Sequence, residues 1–350
     1  MQLKYPVGVA ALALLAAGTA AGPTTAIAAH DKRPDNVVAS NTTSQTQLAA
    51  KRVWTPERMA AAKPMNVDVA QLKSRIGTTM AAPEPLGAPR AVRPARGSLA
   101  AGINQRTTSL AEGWQARRIP RPYHTVTSRT NAKVFFKRSG GYYVCSGTLV
   151  NSATKNMVST AGHCVSNGNG TWSNNVLVVP AYSSKCDTCR NAPLGVWHAS
   201  NLTTKSEWHY EANVLQDIGY ITLHTNNAGK NAVSLLGGRG TRWNVSRFQT
   251  FNAMGYPHAS PFNGNSQFKS VSRRIRDDDP SGGYWPGPNT IAIWSNMTGG
   301  SSGGAWMANG YQNGLNSYRY ISGPKADKRQ IYGPYFGGAA HRLFRYTADL

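Results

Sequence analysis

The sequence predicts an all-β domain, a barrel or sandwich of short strands closed by one C-terminal helix, behind a long N-terminal stretch of different character. Three observations carry this. Residues 122–350 hold 29 of the 32 aromatic residues in the 350-residue chain, enough large apolar groups to build a core. Runs rich in Val, Tyr, Phe and Thr recur there, separated by Gly, Asn, Ser and Pro, which is the pattern of strands and turns. Helical periodicity is convincing only in Ala339–Ala348.

The elements follow in chain order. Lys4 precedes an apolar run from Val7 to Ala17, and Ala26-Ile27-Ala28 places small residues where a signal peptidase cuts. The run is shorter than the roughly 20 residues of a membrane span, so residues 1–28 are expected to be a secretory signal. Residues 29–121 are rich in Ala, Arg, Pro, Thr and Ser, and only Trp54 and Trp114 are aromatic. Such a stretch buries too little to offset its ordering entropy and is expected to be largely disordered. Within it, Ala50–Ala62 and Val67–Ile76 are candidate short helices, and Ala81–Arg96 reads as an extended linker. Arg117, Arg118 and Arg121 close it with basic sites, as in a presegment removed by proteolysis; a flexible stalk or wall-contacting tail is the alternative.

Strand candidates fill residues 122–350. They are Ala132–Lys137, Tyr142–Val150, Asn156–Thr160, Asn175–Ala181, Asp217–Leu223 and Arg247–Met254, then Phe268–Ile275, Thr290–Trp294, Gly304–Met307, Leu315–Ile321 and Tyr332–Gly337. The sequence shows no internal repeat.

Charge narrows the function less than it first suggests. The chain carries 38 Lys and Arg against 15 Asp and Glu, a formal +23. Residues 1–121 hold 16 basic and 6 acidic residues, and residues 122–350 hold 22 and 9. Only 15% of residues are charged, so the basicity is a shortage of acids and not a set of Lys/Arg tracts. Nucleic acid, an anionic wall or membrane and an acidic substrate all fit that charge. The composition excludes a collagenous chain, a disulfide-dense miniprotein and a multi-span membrane protein. Four Cys in an exported chain allow two bridges in three pairings. Cys186-Asp187-Thr188-Cys189 also has the spacing of a redox motif or half a zinc site, but no βαβ pattern surrounds it.

Three segments bear chemistry. Val158-Ser159-Thr160-Ala161-Gly162-His163-Cys164 delivers a His at a tight turn. Gln216-Asp217-Ile218-Gly219-Tyr220-Ile221-Thr222-Leu223 places an Asp at the mouth of an apolar strand. Thr298-Gly299-Gly300-Ser301-Ser302-Gly303-Gly304-Ala305-Trp306 surrounds a Ser with four glycines. Each is modest evidence alone; their joint occurrence is informative. A Ser hydroxyl needs a base to take its proton as it attacks, and a His does this near neutral pH. A carboxylate fixes the imidazole tautomer and stabilises the imidazolium. Flanking glycines let the N–H groups of Gly300 and Ser302 point at a developing oxyanion. Gly300–Gly304 also satisfies the nucleophile elbow of lipases, with Asp327 and His341 following in order. Fewer than fifty residues remain after Ser302, too few for the later elements of that fold. Asp277-Asp278-Asp279 beside Arg273, Arg274 and Arg276 reads as a solvated loop, and no metal or cofactor is expected.

These blocks resemble the trypsin/chymotrypsin-fold serine peptidases, and the similarity runs from about residue 125 to 350. Thr160-Ala161-Gly162-His163-Cys164 matches the family's histidine block, and Gly300-Ser301-Ser302-Gly303-Gly304 its serine block except at one position. Met254-Gly255-Tyr256-Pro257, Met297–Gly304 and Tyr332-Gly333-Pro334-Tyr335-Phe336 are similar to the secreted bacterial glutamyl-endopeptidase-like branch. The resemblance implies two packed six-stranded antiparallel β-barrels of the chymotrypsin type with a C-terminal helix, and a peptidase domain over 122–350. It implies His163, Asp217 and Ser302 as catalytic residues and Gly300 and Ser302 as the oxyanion hole. It selects the pairing Cys145–Cys164, which leaves Cys186 with Cys189 as a small loop closure.

Two departures stand out. Ser301 occupies the place of the Asp that pairs with a freed N-terminus in chymotrypsin-type zymogens, so that latch cannot operate. Asn296 stands at the base of the implied specificity pocket, which removes the acid that would favour Lys or Arg. Asn316, Ser317 and Arg319 are the expected pocket wall, with Asn316 where glutamyl-specific relatives carry a His. The expected protein is a secreted monomer acting on proteins or peptides, with no nucleic acid and no stable membrane association. The rival reading is an inactive peptidase-fold protein that uses its basic face on an anionic wall or polymer.

Overall fold

The computed structural model describes residues 36–40, 53–67, 69–72, 87–100, 113–183, 192 and 194–350. Four strands come from the stretch before residue 122: β1 (Val37–Ala39), β2 (Lys63–Pro64), β3 (Arg90–Val92) and β4 (Gly113–Arg118). Six more follow: β5 (Asn131–Arg138), β6 (Gly141–Val150), β7 (Met157–Thr160), β8 (Asn174–Pro180), β9 (Trp197–Lys205) and β10 (Gly219–Leu223). The chain then forms β11 (Gly240–Trp243), β12 (Thr250–Gly255), β13 (Phe268–Asp278), β14 (Thr290–Trp294), β15 (Ala305–Ala308), β16 (Tyr311–Leu315) and β17 (Gln330–Gly333).

Strands β5 to β10 close on themselves. Their order is β9-β10-β7-β6-β5-β8, every neighbour is antiparallel, and β8 pairs back onto β9. The β5–β6 hairpin turns through Ser139 and Gly140, both at positive φ, the conformation whose twist matches the flanking strands. Val134, Phe136, Leu149, Val158, Trp197, Tyr220 and Ile221 fill this barrel without solvent contact. The C-terminal helix Gly338–Ala348 lays Leu343 and Phe344 into the same core, with the Phe344 ring 5.8 Å from Tyr220 and 4.7 Å from Trp243.

The second sheet runs β17-β14-β13-β12-β15-β16 and then continues to β11 and β3. Backbone bonds between Tyr318 and Tyr332 join the chain after β16 to β17, which brings six strands round into a second barrel. Phe251, Ile291, Ile293, Trp306 and Ile331 form its core. The all-β, two-barrel expectation therefore holds, as does the terminal helix. Among the described residues no helix is long and apolar enough to cross a membrane.

The structure departs from the expected elements in several places; β11 was not foreseen, and Asp277 and Asp278, expected in a solvated loop, lie on β13 with Asp278 buried. Trp197–Lys205 is a long strand that the sequence did not suggest, because polar residues such as Asn201, Thr203, Thr204 and Lys205 mask it. Strand β16 ends at Leu315, and the expected Leu315–Ile321 strand is reduced to the single bridge at Tyr318. Within the expected upstream helices, Pro56–Ala60 and Val69–Leu72 are helical, while residues 50–52 and 73–76 lie outside the described residues. The described stretches of residues 29–121 pair with the barrel strands: β1 with β9, β2 with β6, β3 with β11 and β4 with β13. Open sheet edges accept such added strands through backbone hydrogen bonds, whatever the side chains.

Cys145 of β6 is bonded to Cys164 in the turn after β7, with both sulfurs buried. The expected partner pair, Cys186 and Cys189, lies outside the described residues, as does the signal sequence. Closing a loop of 19 residues is worth about 3 kcal/mol in chain entropy. Replacing both Cys145 and Cys164 by Ser is expected to lower the thermal midpoint by several degrees, read by circular dichroism; an unchanged midpoint would count against this contribution.

Candidate active site

The three chemistry-bearing segments meet at one place between the barrels. Strand β7 ends at Thr160 and the chain turns into the short helix Gly162–Val165, which carries His163. Asp217 sits at the end of the 3-10 turn Val214–Gln216, two residues before β10. Because β7 and β10 are antiparallel neighbours with Gly219 opposite Thr160, the two ends emerge side by side. Gly162 is required here: a Cβ would lie 2.7 Å from Trp208 and 2.9 Å from the Asp217 carboxylate.

Asp217 has no solvent exposure and accepts three bonds. His163 donates its backbone N–H to Oδ1 at 2.7 Å, and His163 Nδ1 lies 2.8 Å from Oδ2. The Ser317 hydroxyl donates to Oδ2 at 2.5 Å. The carboxylate thus fixes the imidazole through Nδ1, leaving the buried Nε2 without a hydrogen-bond partner among the described residues.

The serine loop connects β14 to β15 and is pinned from both sides. Gly300 and Gly303 hold φ of +92° and +80°, which a side chain would strain. A Cβ on Gly303 would also meet Thr160 Oγ1 at 2.2 Å, so this loop packs directly on the histidine turn. Ser146 of β6 stitches the parts together. Its hydroxyl donates to Gly300 O and accepts from Tyr256 N–H, both at 2.8 Å, while its own N–H donates to Ser302 O at 2.7 Å. The N–H groups of Gly300 and Ser302 make no backbone bond among the described residues. Ser302 Oγ donates to Met65 O at 3.3 Å, and Ser302 is only 6% exposed.

Beside Ser302 lies a pocket lined by Met297, Thr298, Gly299, Tyr318, Arg319 and Lys328, with Asn66 and Val67 from upstream. Asn296, expected at its base, is not among the lining residues: its amide oxygen accepts the Ala116 N–H at 2.6 Å and faces β4. Strand β4 was not foreseen, so neither was this diversion. Asn316 and Ser317 do border the pocket, but their polar groups are committed elsewhere. Asn316 Nδ2 donates to Met254 O and Ser301 O at 2.9 Å, and its Oδ1 accepts from Trp306 Nε1 at 2.7 Å. Arg319 does belong to the pocket, with its guanidinium donating to Met297 O and Ser295 O. Burial lowers its pKa while nearby Asp327 opposes this. Ser301 closes its own turn by donating to Thr298 O at 2.8 Å.

Two supporting residues escaped sequence reading. Arg138 donates to His163 O at 2.8 Å and Ser173 Oγ at 2.6 Å, and burial holds its pKa at about 10 despite the pull of Asp217. Ser146 is the other. A Ser or Arg within a strand carries no local signal of such a role. Cys145, His163 and Cys164 cluster closely enough to suggest metal ligation, but the sulfurs are bonded to each other and offer no thiolate.

A family model described as Trypsin matches residues 122–336. Protease Anisep from Arthrobacter nicotinovorans is similar at 35% identity, covering 65% of this chain and 98% of that one, with a TM-score of 0.57. The thermostable serine protease AL20 from an extremophilic microorganism is similar at 34% identity, covering 64% and 99%, with a TM-score of 0.55. A Glu endopeptidase solved in complex with MPD shares the fold at 20% identity, covering 69% and 98%, with a TM-score of 0.51. No curated protein sequence matches the chain.

Because Asp217 serves the imidazole and Ser317 together, Asp217→Asn reverses one of these bonds without creating a cavity. Turnover is expected to fall at least about a thousandfold with little change in thermal midpoint. Full turnover in that variant would remove Asp217 from the role, leaving Glu207 or Glu211 to test.

Proposed function

The chain belongs to the trypsin family of serine endopeptidases, and from that premise we propose that it is a secreted enzyme cleaving peptide bonds through Ser302, His163 and Asp217. The observation that carries this reading is the buried Asp217–His163 bond at 2.8 Å, set beside a serine loop packed on the histidine turn.

The chemistry follows from the groups present. Ser302 Oγ attacks the substrate carbonyl carbon as its proton passes to His163 Nε2. The negative oxygen that forms is received by the N–H groups of Gly300 and Ser302, each worth about 2.7–4 kcal/mol to the transition state. Asp217 stabilises the imidazolium and keeps its orientation. His163 then gives the proton to the leaving amine, the C–N bond breaks, and an acyl ester remains on Ser302. Water attacks that ester with His163 again as base, which releases the acid and restores the hydroxyl. No step requires a metal.

Residues 1–28 act as the export signal and residues 29–121 as a presegment, with the peptidase domain over 122–350. Export agrees with the Cys145–Cys164 bridge, since buried disulfides of this kind persist in oxidising compartments. The net positive charge of residues 122–350 then belongs to an exported surface and gives no reason to invoke nucleic acid.

A fluorophosphonate probe is expected to label the processed protein at Ser302, and Ser302→Ala to abolish labelling. Labelling that survives Ser302→Ala, or is absent from processed wild type, would favour an inactive binding protein. Selectivity supplies a second test. Among the described residues the pocket lining includes Arg319 and Lys328 and no acidic residue. Peptides with neutral or acidic side chains before the scissile bond are expected to exceed Lys and Arg peptides in kcat/KM by at least about tenfold. A preference for Lys or Arg in mass-spectrometric cleavage profiling would overturn this.

A further inference from the structure

The cleft that a substrate has to enter is flanked by two described stretches of the chain itself, residues 53–67 and 69–72. The segment is anchored first on the outside of the β5–β10 barrel. Trp54 is 5% exposed and packs against Phe135 and Tyr142 at ring distances of 5.5 and 5.4 Å. Its indole N–H donates to Asn175 O at 2.6 Å. Met59 and Ala62 are buried in the same cluster with Val144, Leu177 and Val179. Between them runs the helix Pro56–Ala60, capped by the Thr55 side chain, which accepts from Arg58 N–H.

The chain then reaches the nucleophile. Strand β2 lies parallel to β6, and Met65 N–H donates to Val144 O at 3.1 Å. Met65 O accepts the hydrogen bond from Ser302 Oγ. Asn66 rests so close to Gly299 that a Cβ there would lie 2.1 Å from its Oδ1, and Asn66 and Val67 border the pocket beside Ser302. On the far side Val69 is 1% exposed, packed with Trp208, Leu215, Trp285, Tyr318 and Tyr332. Tyr318 and Tyr332 belong to the second barrel. The two stretches are therefore held on both walls of the cleft, with Met65 at Ser302.

The contact at Ser302 is not a productive one. For attack, the hydroxyl oxygen must face a carbonyl carbon, with the carbonyl oxygen against the Gly300 and Ser302 N–H groups. Here the hydroxyl donates to the oxygen of Met65, and neither N–H group bonds that oxygen among the described residues. The Ser302 hydroxyl bonds Met65 O, while His163 Nε2 is buried with no hydrogen-bond partner among the described residues.

We propose that residues 53–72 are an intramolecular strap that closes the substrate cleft and holds Ser302 in a non-attacking hydrogen bond until the strap is released. This rests on the peptidase reading of Ser302. It also supplies a restraint that does not need the missing Asp at position 301.

The test uses the full exported chain and the rate of fluorophosphonate labelling at Ser302, with thermal midpoints as a check on folding. Trp54→Ala and Val69→Asp each remove one anchor and are expected to raise the labelling rate at least about tenfold by shifting the strap toward its open state. Met65→Pro removes the N–H bond to Val144 O and serves as a milder variant. Phe248→Ala, at an exposed residue that does not line the pocket, is expected to leave the rate unchanged. A synthetic peptide of residues 53–72, added to the Trp54→Ala chain, is expected to slow labelling and to be recovered uncut by mass spectrometry. Equal labelling rates in wild type and folded strap variants would overturn the proposal, as would cleavage of that peptide between Met65 and Asn66. Absence of Ser302 labelling in every form, strap variants included, would instead overturn the peptidase reading.

Discussion

A carboxylate with no solvent contact has to be answered by donors, and Asp217 is answered by three: the His163 backbone, the His163 imidazole and the Ser317 hydroxyl. Two of these come from the turn after β7 and the third from the chain after β16. The two barrels therefore meet at this group, and their relative position decides whether it is satisfied. Ser146 repeats the logic at short range. It belongs to the first barrel, yet it bonds Gly300, Ser302 and Tyr256 of the second. The site is in this sense a property of the interface, and the packing of two separate cores positions the reacting groups.

The upstream segment shows how few anchors suffice on a surface already built. With Trp54 and Trp114 as its only aromatics, residues 29–121 have no core of their own. Their described stretches nonetheless add β1, β2, β3 and β4 to strands that exist without them. Backbone pairing asks little of side-chain composition, and Trp54, Met59 and Val69 are buried among apolar residues of the barrels. A composition argument that weighs an isolated segment misses this, because the apolar partners come from the barrels. The same added strands redirect the pocket: β4 takes up Asn296, and Asn66 and Val67 become part of the lining.

Most strands of the two barrels were legible, since Val, Phe and Ile runs such as Val134–Phe136 and Ile291–Ile293 stand between turn residues. Trp197–Lys205 was not, because its buried positions include Thr203, Thr204 and Lys205, which read as surface. Lys133 is a parallel case, a buried cation lying over Phe135 and Tyr182 whose ammonium burial brings down to a pKa of about 7. The turns that carry His163, Asp217 and Ser302 were readable from their local sequence and glycines, and the structure brings them together. Arg138, Ser146 and the true orientation of Asn296 were not, because each acts through a partner more than twenty residues away or on a strand the sequence did not disclose.

The sequence by itself determined the fold class, the three chemistry-bearing turns, and the residue types that a nucleophile, a base and an orienting carboxylate need. Those are local properties, set by periodicity, by glycine at positive φ and by the acid–base character of single side chains. Only the tertiary structure decided which atoms meet. It directed Asn316 and Ser317 to the scaffold, left Arg319 in the pocket, joined Cys145 to Cys164, and laid Met65 across Ser302. The reason is physical: each of these contacts joins residues distant in sequence, and its geometry is set by how two barrels and one strap pack, which no local pattern encodes.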